Sequence, residues 1–392
     1  SKDSGHGIRI VIPGDKGSSV QEHGITVRGS LASTHINHIT IKYVEFTSAI
    51  DDYPTGTQWA VKNGYEHTPG GDNVYIGYSY FHHLIGPMQR TRMQNGAIIE
   101  HNYYDDNKSY PSGPHGDAIQ LWGTPDSSVY SENSVIRYNE FRNIEGTSFI
   151  NLAWGISNLH IYGNIFYYSP GAPQAGVGGG LASPYDGDVG PLYIYNNTLA
   201  NSSSSKMYIA MREDANLIGT EHYVYNNLWF NCAASNAAGV SGFAHAGYNY
   251  ISQSNLLWTY DPDPTDQITA VDPFINSAAN NFHLQSALPG KDLSQESWWD
   301  PQYDSPYDRD GHLRGEDGDW DIGAYEFAPA LTLRGRGVDE AIHLDWEVNG
   351  ELPPAATWHI DYYTTTASVY TATEPLSTTR SHTLTELTNY EW

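Results

Sequence analysis

The stretch GPHGDAIQLWG, residues 113 to 123, sets a histidine, an acid, an amide and a tryptophan within eleven residues. His115 titrates near neutrality, and Asp117 two residues on can orient and charge an imidazole, so the two together form a candidate acid/base pair. The same pair has a purely structural use: a His and an Asp that bond loop backbone where a strand begins. Two other groupings offer the oxygen ligands that calcium prefers, Asp51 with Asp52 and the acid-rich run around Asp308 and Asp310. Arg309 and Arg314 beside the second suit ion pairing or turn formation equally well. His82 and His83 are adjacent, so in a strand they point to opposite sides and share no metal. GVGGGLASP lacks the lysine and the spacing of a phosphate loop and reads as a flexible wall.

Composition restricts what these residues could act upon. The 392 residues carry 45 acidic and 19 basic side chains, a formal charge of −26. That balance repels phosphate backbones and anionic membranes and excludes nucleic acid as an expected partner. No apolar run approaches the ~18 residues of a membrane span, so no membrane insertion is expected. The polar first residues lack the apolar core of a signal peptide, consistent with numbering that starts after a removed leader. The single cysteine, Cys232 in NNLWFNC, excludes an intramolecular disulfide and reads as a buried thiol. Abundant Tyr (30), Gly (38) and Asn resemble secreted or cell-surface carbohydrate-handling proteins. No organic cofactor is expected.

A short pattern repeats along the chain: an aliphatic residue, Asn three positions later, and a large apolar residue at five. It reads IEHNYY from Ile99, IRYNEF from Ile136, IYGNIF from Ile161, IYNNTL from Ile194, VYNNLW from Val224 and, more loosely, SQSNLL from Ser252. IKYVEF from Ile41 and IGYSYF from Ile76 replace the Asn with Val44 and Ser79. Period-two alternation within each copy predicts a strand. The spacing of 23 to 37 residues is too long for hairpins, and no helical stripe intervenes. The economical solution is an all-β fold, a right-handed parallel β-helix of about eight or more coils. Asn102, Asn139, Asn164, Asn197, Asn227 and Asn255 then form a ladder at one corner, where Asn tolerates left-handed backbone. Eight coils at ~4.8 Å give a rod roughly 40 Å long.

A second strand per coil lies between the copies: QWAVKNG, DAIQLWG, SFINLAWG and MYIAMRED. With Val61, Ile119, Leu121, Ile150, Leu152, Ile209 and Met211 inward, period two places Lys62, Gln120, Trp122, Asn151 and Arg212 outward on one face. Loops at 47 to 57, 105 to 116 and 169 to 190 would wall that face. Strict alternation from Ile119 points Asp117 and His115 inward, so they join the outer face only if the turn around Gly113, Pro114 and Gly116 resets the parity.

Residues 301 to 327 contain D-x-D-G-x-x-R from Asp308 and then DIGAYE, a run expected to close the end of the rod. Together with the Asn coils, this run resembles the C-terminal cap of bacterial secreted right-handed β-helix proteins of the pectate-lyase-like superfamily, over roughly residues 5 to 327. That superfamily includes polysaccharide lyases, mannuronan epimerases, glycoside hydrolases and surface proteins without catalysis. His-x-Asp at the start of a coil strand is similar to the active-site strand of its uronate-processing members. The resemblance implies a base that removes the C5 proton while a cation neutralises the uronate carboxylate. His115 or Lys62 is the candidate base and Arg212 the candidate neutraliser; Lys62 also serves as a candidate cation. Gln120 and Asn151 would bond sugar hydroxyls, and Trp122 and Trp154 would stack on pyranose rings.

Beyond Phe327, AIHLDWEV, TWHIDYY and HTLTELTNYEW alternate as antiparallel strands. The spacing of Leu384, Leu387 and Tyr390 is similar to the corner of a fibronectin type III sandwich. The expected domains are therefore 1–327, a parallel β-helix, and 328–392, a sandwich module lacking its last strands. Three functions follow as expectations. The first is a secreted lyase or C5-epimerase acting on an acidic polysaccharide, with calcium as a candidate ion. The second is a non-catalytic extracellular protein that binds glycans or self-assembles at the cell surface. The third is a glycoside hydrolase, which needs a second carboxylate, and Glu213 is the one available to Asp117.

Overall fold

The computed structural model describes residues 8–12, 21–27, 36–48, 57–63, 71–91, 95–108, 116–122, 131–145, 148–153, 155–169, 184–185, 190–202, 223–232, 245–252, 265–288, 303–315, 319–328, 330–338, 341–349, 358–363, 369–374 and 381–384. Among them there is no α-helix; one 3-10 turn, Ser277–Ala279, interrupts the strands. No helix is long and apolar enough to cross a membrane among the described residues. Three large sheets of ten, eight and six strands pair throughout in parallel, consistent with a parallel β-helix.

The pattern that predicts the coils also fills them. In the eight-stranded sheet, Ile41, Ile76, Ile99, Ile136, Ile161, Ile194 and Val224 stand in register, one per strand, and all are buried. In the ten-stranded sheet the equivalent file is aromatic: Phe46, Phe81, Tyr104, Phe141 and Phe166. Its rings stack 4.6 to 4.8 Å apart, which matches the interstrand spacing. Each added strand thus extends the same core by one ring or one branched aliphatic.

At the corner between these two sheets the Asn ladder forms, with two differences from expectation. Each ladder amide accepts from the backbone N–H of the coil before it: Asn102 N to Asn139 Oδ1 at 3.0 Å, Asn139 N to Asn164 at 2.9 Å, and Asn164 N to Asn197 at 3.1 Å. Each Nδ2 also donates back to a carbonyl, as Asn139 does to Ile99 O at 2.9 Å. The left-handed residue is the one before each Asn: His101, Tyr138, Gly163, Asn196, Asn226 and Tyr248 have φ between 50 and 64°, as does Tyr78 before Ser79. The turn is made there, which leaves the Asn side chain free to reach along the stack. The second difference lies at the end of the ladder, where Asn249, not Asn255, follows Asn227 (Asn227 N to Asn249 Oδ1, 3.0 Å). Asp266 then takes the next place (Asn249 N to Asp266 Oδ1, 2.9 Å), and Asn255 lies outside the described residues.

The segment expected to close the rod lies along its side instead. Phe274, Phe282, Leu284, Leu288, Ile322 and Tyr325 pack against Ile165, Tyr167, Leu228, Phe230 and Tyr250, which stand outward from the ten-stranded sheet. Residues 303–309 run past the Asn corner: Tyr162 donates to Tyr303 O at 3.0 Å, Tyr138 to Tyr307 O at 2.7 Å, and Arg309 to Tyr138 O at 2.7 Å. Asp304, buried, meets His160 Nδ1 at 2.8 Å and the Tyr195 hydroxyl. The physical reason is the outer surface of these coils, whose stacked tyrosines and apolar residues need a cover.

After Phe327 the strands become antiparallel, as their alternation predicts. Ala330–Val338, Ala341–Asn349 and Ser381–Leu384 make one sheet, and Trp358–Tyr363 pairs with Val369–Glu374 in another.

Candidate functional site

The six-stranded sheet carries the site residues. Thr26, Lys62, Arg90, Gln120 and Asn151 occupy successive strands at one register, so one side chain per coil forms a row. On the opposite face Val61, Ile119, Leu121, Ile150 and Leu152 are buried in the core, as alternation requires. The N–H groups of both Ala60 and Val61 bond Met88 O, at 2.8 and 3.2 Å, the two-against-one of a bulge. Alternation is reset there, and Trp59 comes to the side of Lys62. The Lys62 ammonium stands 4.0 Å from the centre of the Trp59 ring, and the Arg90 guanidinium carbon 5.1 Å from it.

Asp117 joins this row. Its Oδ2 accepts from Gln120 Nε2 at 2.9 Å and Asn151 Nδ2 at 3.3 Å, and its Oδ1 accepts from Ser148 N at 2.9 Å. The residues before the strand therefore escape strict alternation, and the carboxyl group sits with the outer amides. Burial pushes Asp117 up to about 7, against the three N–H donors, which favour its ionised form. The bond to Ser148 N ties one coil to the next, the structural use foreseen for this residue.

The row is less open than the sequence suggests. Lys62 and Gln120 are each 3 % exposed, Asn151 is 4 % and Asp117 is fully buried, whereas Arg90 is only half-buried. Arg90 is also the residue that sequence reasoning missed. Its strand, Gln89–Thr91, is three residues long, follows Gly86-Pro87 and has no aliphatic alternation. Register with Lys62 and Gln120 is the signal that identifies it. His115, Arg212, Trp154, Asp51 and Asp52 lie outside the described residues, and of Trp122 only the backbone is described, paired with Ala153.

The other candidates have structural partners. Asp308 Oδ1 accepts from the backbone N–H of Asp310 and His312, at 2.9 and 2.7 Å, and Oδ2 accepts from Glu326 N at 2.8 Å. Asp310 Oδ2 faces His283 Nε2 at 2.7 Å. Converging N–H donors fold a loop and do not fit a calcium ion, which asks for converging oxygens. Among the described residues no group of three or more His, Cys, Asp or Glu is placed to hold a metal. His82 and His83 do not diverge: their Nδ1 atoms are 2.6 Å apart, because His83 takes a left-handed φ of 53° at a corner and breaks the alternation. His82 Nε2 meets Glu45 at 3.0 Å. Cys232 is buried, as its setting predicts.

No protein-family model, curated protein or solved structure matches this chain.

Proposed function

We propose that this chain is a secreted, right-handed parallel β-helix protein that acts on an acidic polysaccharide, as a lyase or a C5-epimerase. Residues 1–327 would form the catalytic helix and residues 328–392 a fibronectin type III-like spacer. The observation that carries the reading is the row Lys62, Arg90, Gln120 and Asn151 with Asp117 bonded to it. Two cations stand side by side on neighbouring strands of a protein with a charge of −26. Their register places two cationic side chains within one row with the amides of Gln120 and Asn151. A uronate carboxylate held by Arg90 and Lys62 has its charge neutralised, which acidifies the C5 proton. A base, His115 in this reading, takes that proton, and Asp117 two residues away positions it. The electron pair left at C5 then either expels the O4 glycosidic oxygen, as in a lyase, or takes a proton from the other face, as in an epimerase. Gln120 and Asn151 supply amide contacts beside it.

The second reading is a non-catalytic extracellular scaffold. It is favoured by the burial of Lys62, Gln120, Asn151 and Asp117, and by the Ser148 bond that gives Asp117 a coil-stapling use. Ultraviolet absorbance of unsaturated uronate product separates the readings, with alginate and pectate as substrates, with and without calcium. A rise that falls about 100-fold in R90Q, the scale for losing one donor to a developing oxyanion, is the expected outcome. Neither absorbance nor C5 epimerisation by proton NMR would leave the scaffold reading.

A further inference from the structure

The interior of the coils is apolar along most of its length, but behind Arg90 it is not. Gln89 and Thr91, the neighbours of Arg90 in its strand, face inward and are fully buried, and so is Asn107. Among the described residues three of their polar atoms find no partner: Gln89 Nε2, Thr91 Oγ1 and Asn107 Oδ1. Reorienting the amides does not remove the deficit. Gln89 Oε1 already accepts from the Tyr104 hydroxyl at 2.7 Å, so turning the amide over would leave Oε1 unpartnered in place of Nε2. Asn107 Nδ2 donates to Asp117 O at 3.0 Å, and the reverse orientation would set two oxygens against each other.

Gln89 and Asn107 border the same stretch of interior. The Asp117 carbonyl that receives the Asn107 amide also accepts from Met88 N, the residue before Gln89, at 3.0 Å. Tyr104, three residues before Asn107 on the same strand, supplies the hydroxyl that reaches Gln89. One unsatisfied donor, one unsatisfied acceptor and one hydroxyl thus line the interior of neighbouring coils. Buried polar atoms without partners are costly, and water, with two donors and two acceptors, matches a mixed set where an ion does not.

We infer that the interior beneath the strand Gln89–Thr91 binds ordered water, with one molecule bridging Gln89 Nε2 and Asn107 Oδ1 and the Thr91 hydroxyl completing the polar lining. The strand that presents Arg90 therefore rests on water, where its neighbours rest on Ile, Leu and Val.

A high-resolution crystal structure of the whole chain tests this directly. The expected result is an electron-density peak within about 2.7–3.2 Å of both atoms. In solution, oxygen-17 relaxation dispersion should show slowly exchanging water that is lost in the double variant Gln89→Leu, Tyr104→Phe. A wild-type interior with no peak, and a dispersion equal in the two proteins, would overturn the inference. Should the double variant fail to fold, the wild-type density decides alone.

Discussion

Asp117 is held between opposing demands, since burial favours its neutral form and three donors favour its charge. A folded value of about 7 lies above that of an unfolded aspartate, so between about pH 4 and about 7 the native state binds more protons than the unfolded chain. The contribution of this group to stability is fully present at low pH and is lost as pH rises through that window, by on the order of 4 kcal/mol. Urea midpoints measured across the window should fall with pH in the wild type and lose most of that slope in D117N; an unchanged slope would place the titration elsewhere. Glu100 runs the other way. Burial raises it, but Arg137 and the Tyr75 hydroxyl outweigh burial and hold it low, so its contribution is lost as pH falls. At this scale period-two arithmetic singles out Lys62, Gln120 and Asn151, whereas Asp117 stands out only by its type beside His115, and strict alternation points it inward, away from the amides it bonds. Sequence reasoning misses Arg90 and Trp59 because one lies on a three-residue strand without aliphatic alternation and the other beyond a bulge, both invisible to that arithmetic.

Among the elements, the Asn corner is the most regular. Asn164 accepts from Asn139 N and donates to Ile136 O and Tyr162 O, all at 2.9 to 3.0 Å. N164A strands those buried groups and should cost roughly 2–4 kcal/mol in chemical denaturation. A loss near zero would mean that the ladder decorates the corner and does not hold it. The side-docked segment has its own anchor in the buried pair of Asp304 and His160. Removing Asp304 leaves buried His160 Nδ1 and the Tyr195 hydroxyl without this acceptor, at a cost of about 1–3 kcal/mol. D304A should therefore speed hydrogen exchange of residues 303–309, and exchange unchanged from wild type would argue against the anchor. The ladder is legible because its Asn recurs, yet its last member is not. AGYNYI fits the motif better than SQSNLL, which opens on Ser252, but its first residue is only the small Ala246 and it follows the Val224 copy more closely than any other pair of copies is spaced; the corner selects by the residue before the Asn. Tyr248 takes the left-handed place that aromatic, Gly and Asn residues take elsewhere, and SQSN offers only Ser254.

For the whole molecule, 45 acidic against 19 basic side chains make self-repulsion a general load on the fold. Screening should relieve it, so the thermal midpoint is expected to rise between about 10 and about 150 mM NaCl. A midpoint that falls would show that local pairs such as Arg137 with Glu100 and Arg314 with Glu326 dominate. The parallel coil architecture is readable from one repeated hexapeptide, because every coil solves the same packing problem. The route of residues 265–327 is not, since nothing in a strand's own alternation says that its outer face will be covered by a segment more than a hundred residues away.

That lateral segment also acts as a ruler. It touches the stack at Tyr162 through Tyr303, at Tyr138 through Tyr307, at Asn196 through Asp321 and at Asn226 through Gly323, so its contacts span several coils. A coil duplicated or deleted within that span would throw every later contact out of phase by one strand spacing, ~4.8 Å. Among the described residues the hydrogen bonds of this segment to the stack begin at Tyr138. Lineages descended from this chain should accordingly gain and lose repeats at the amino-terminal end, while the number beneath the strap stays fixed.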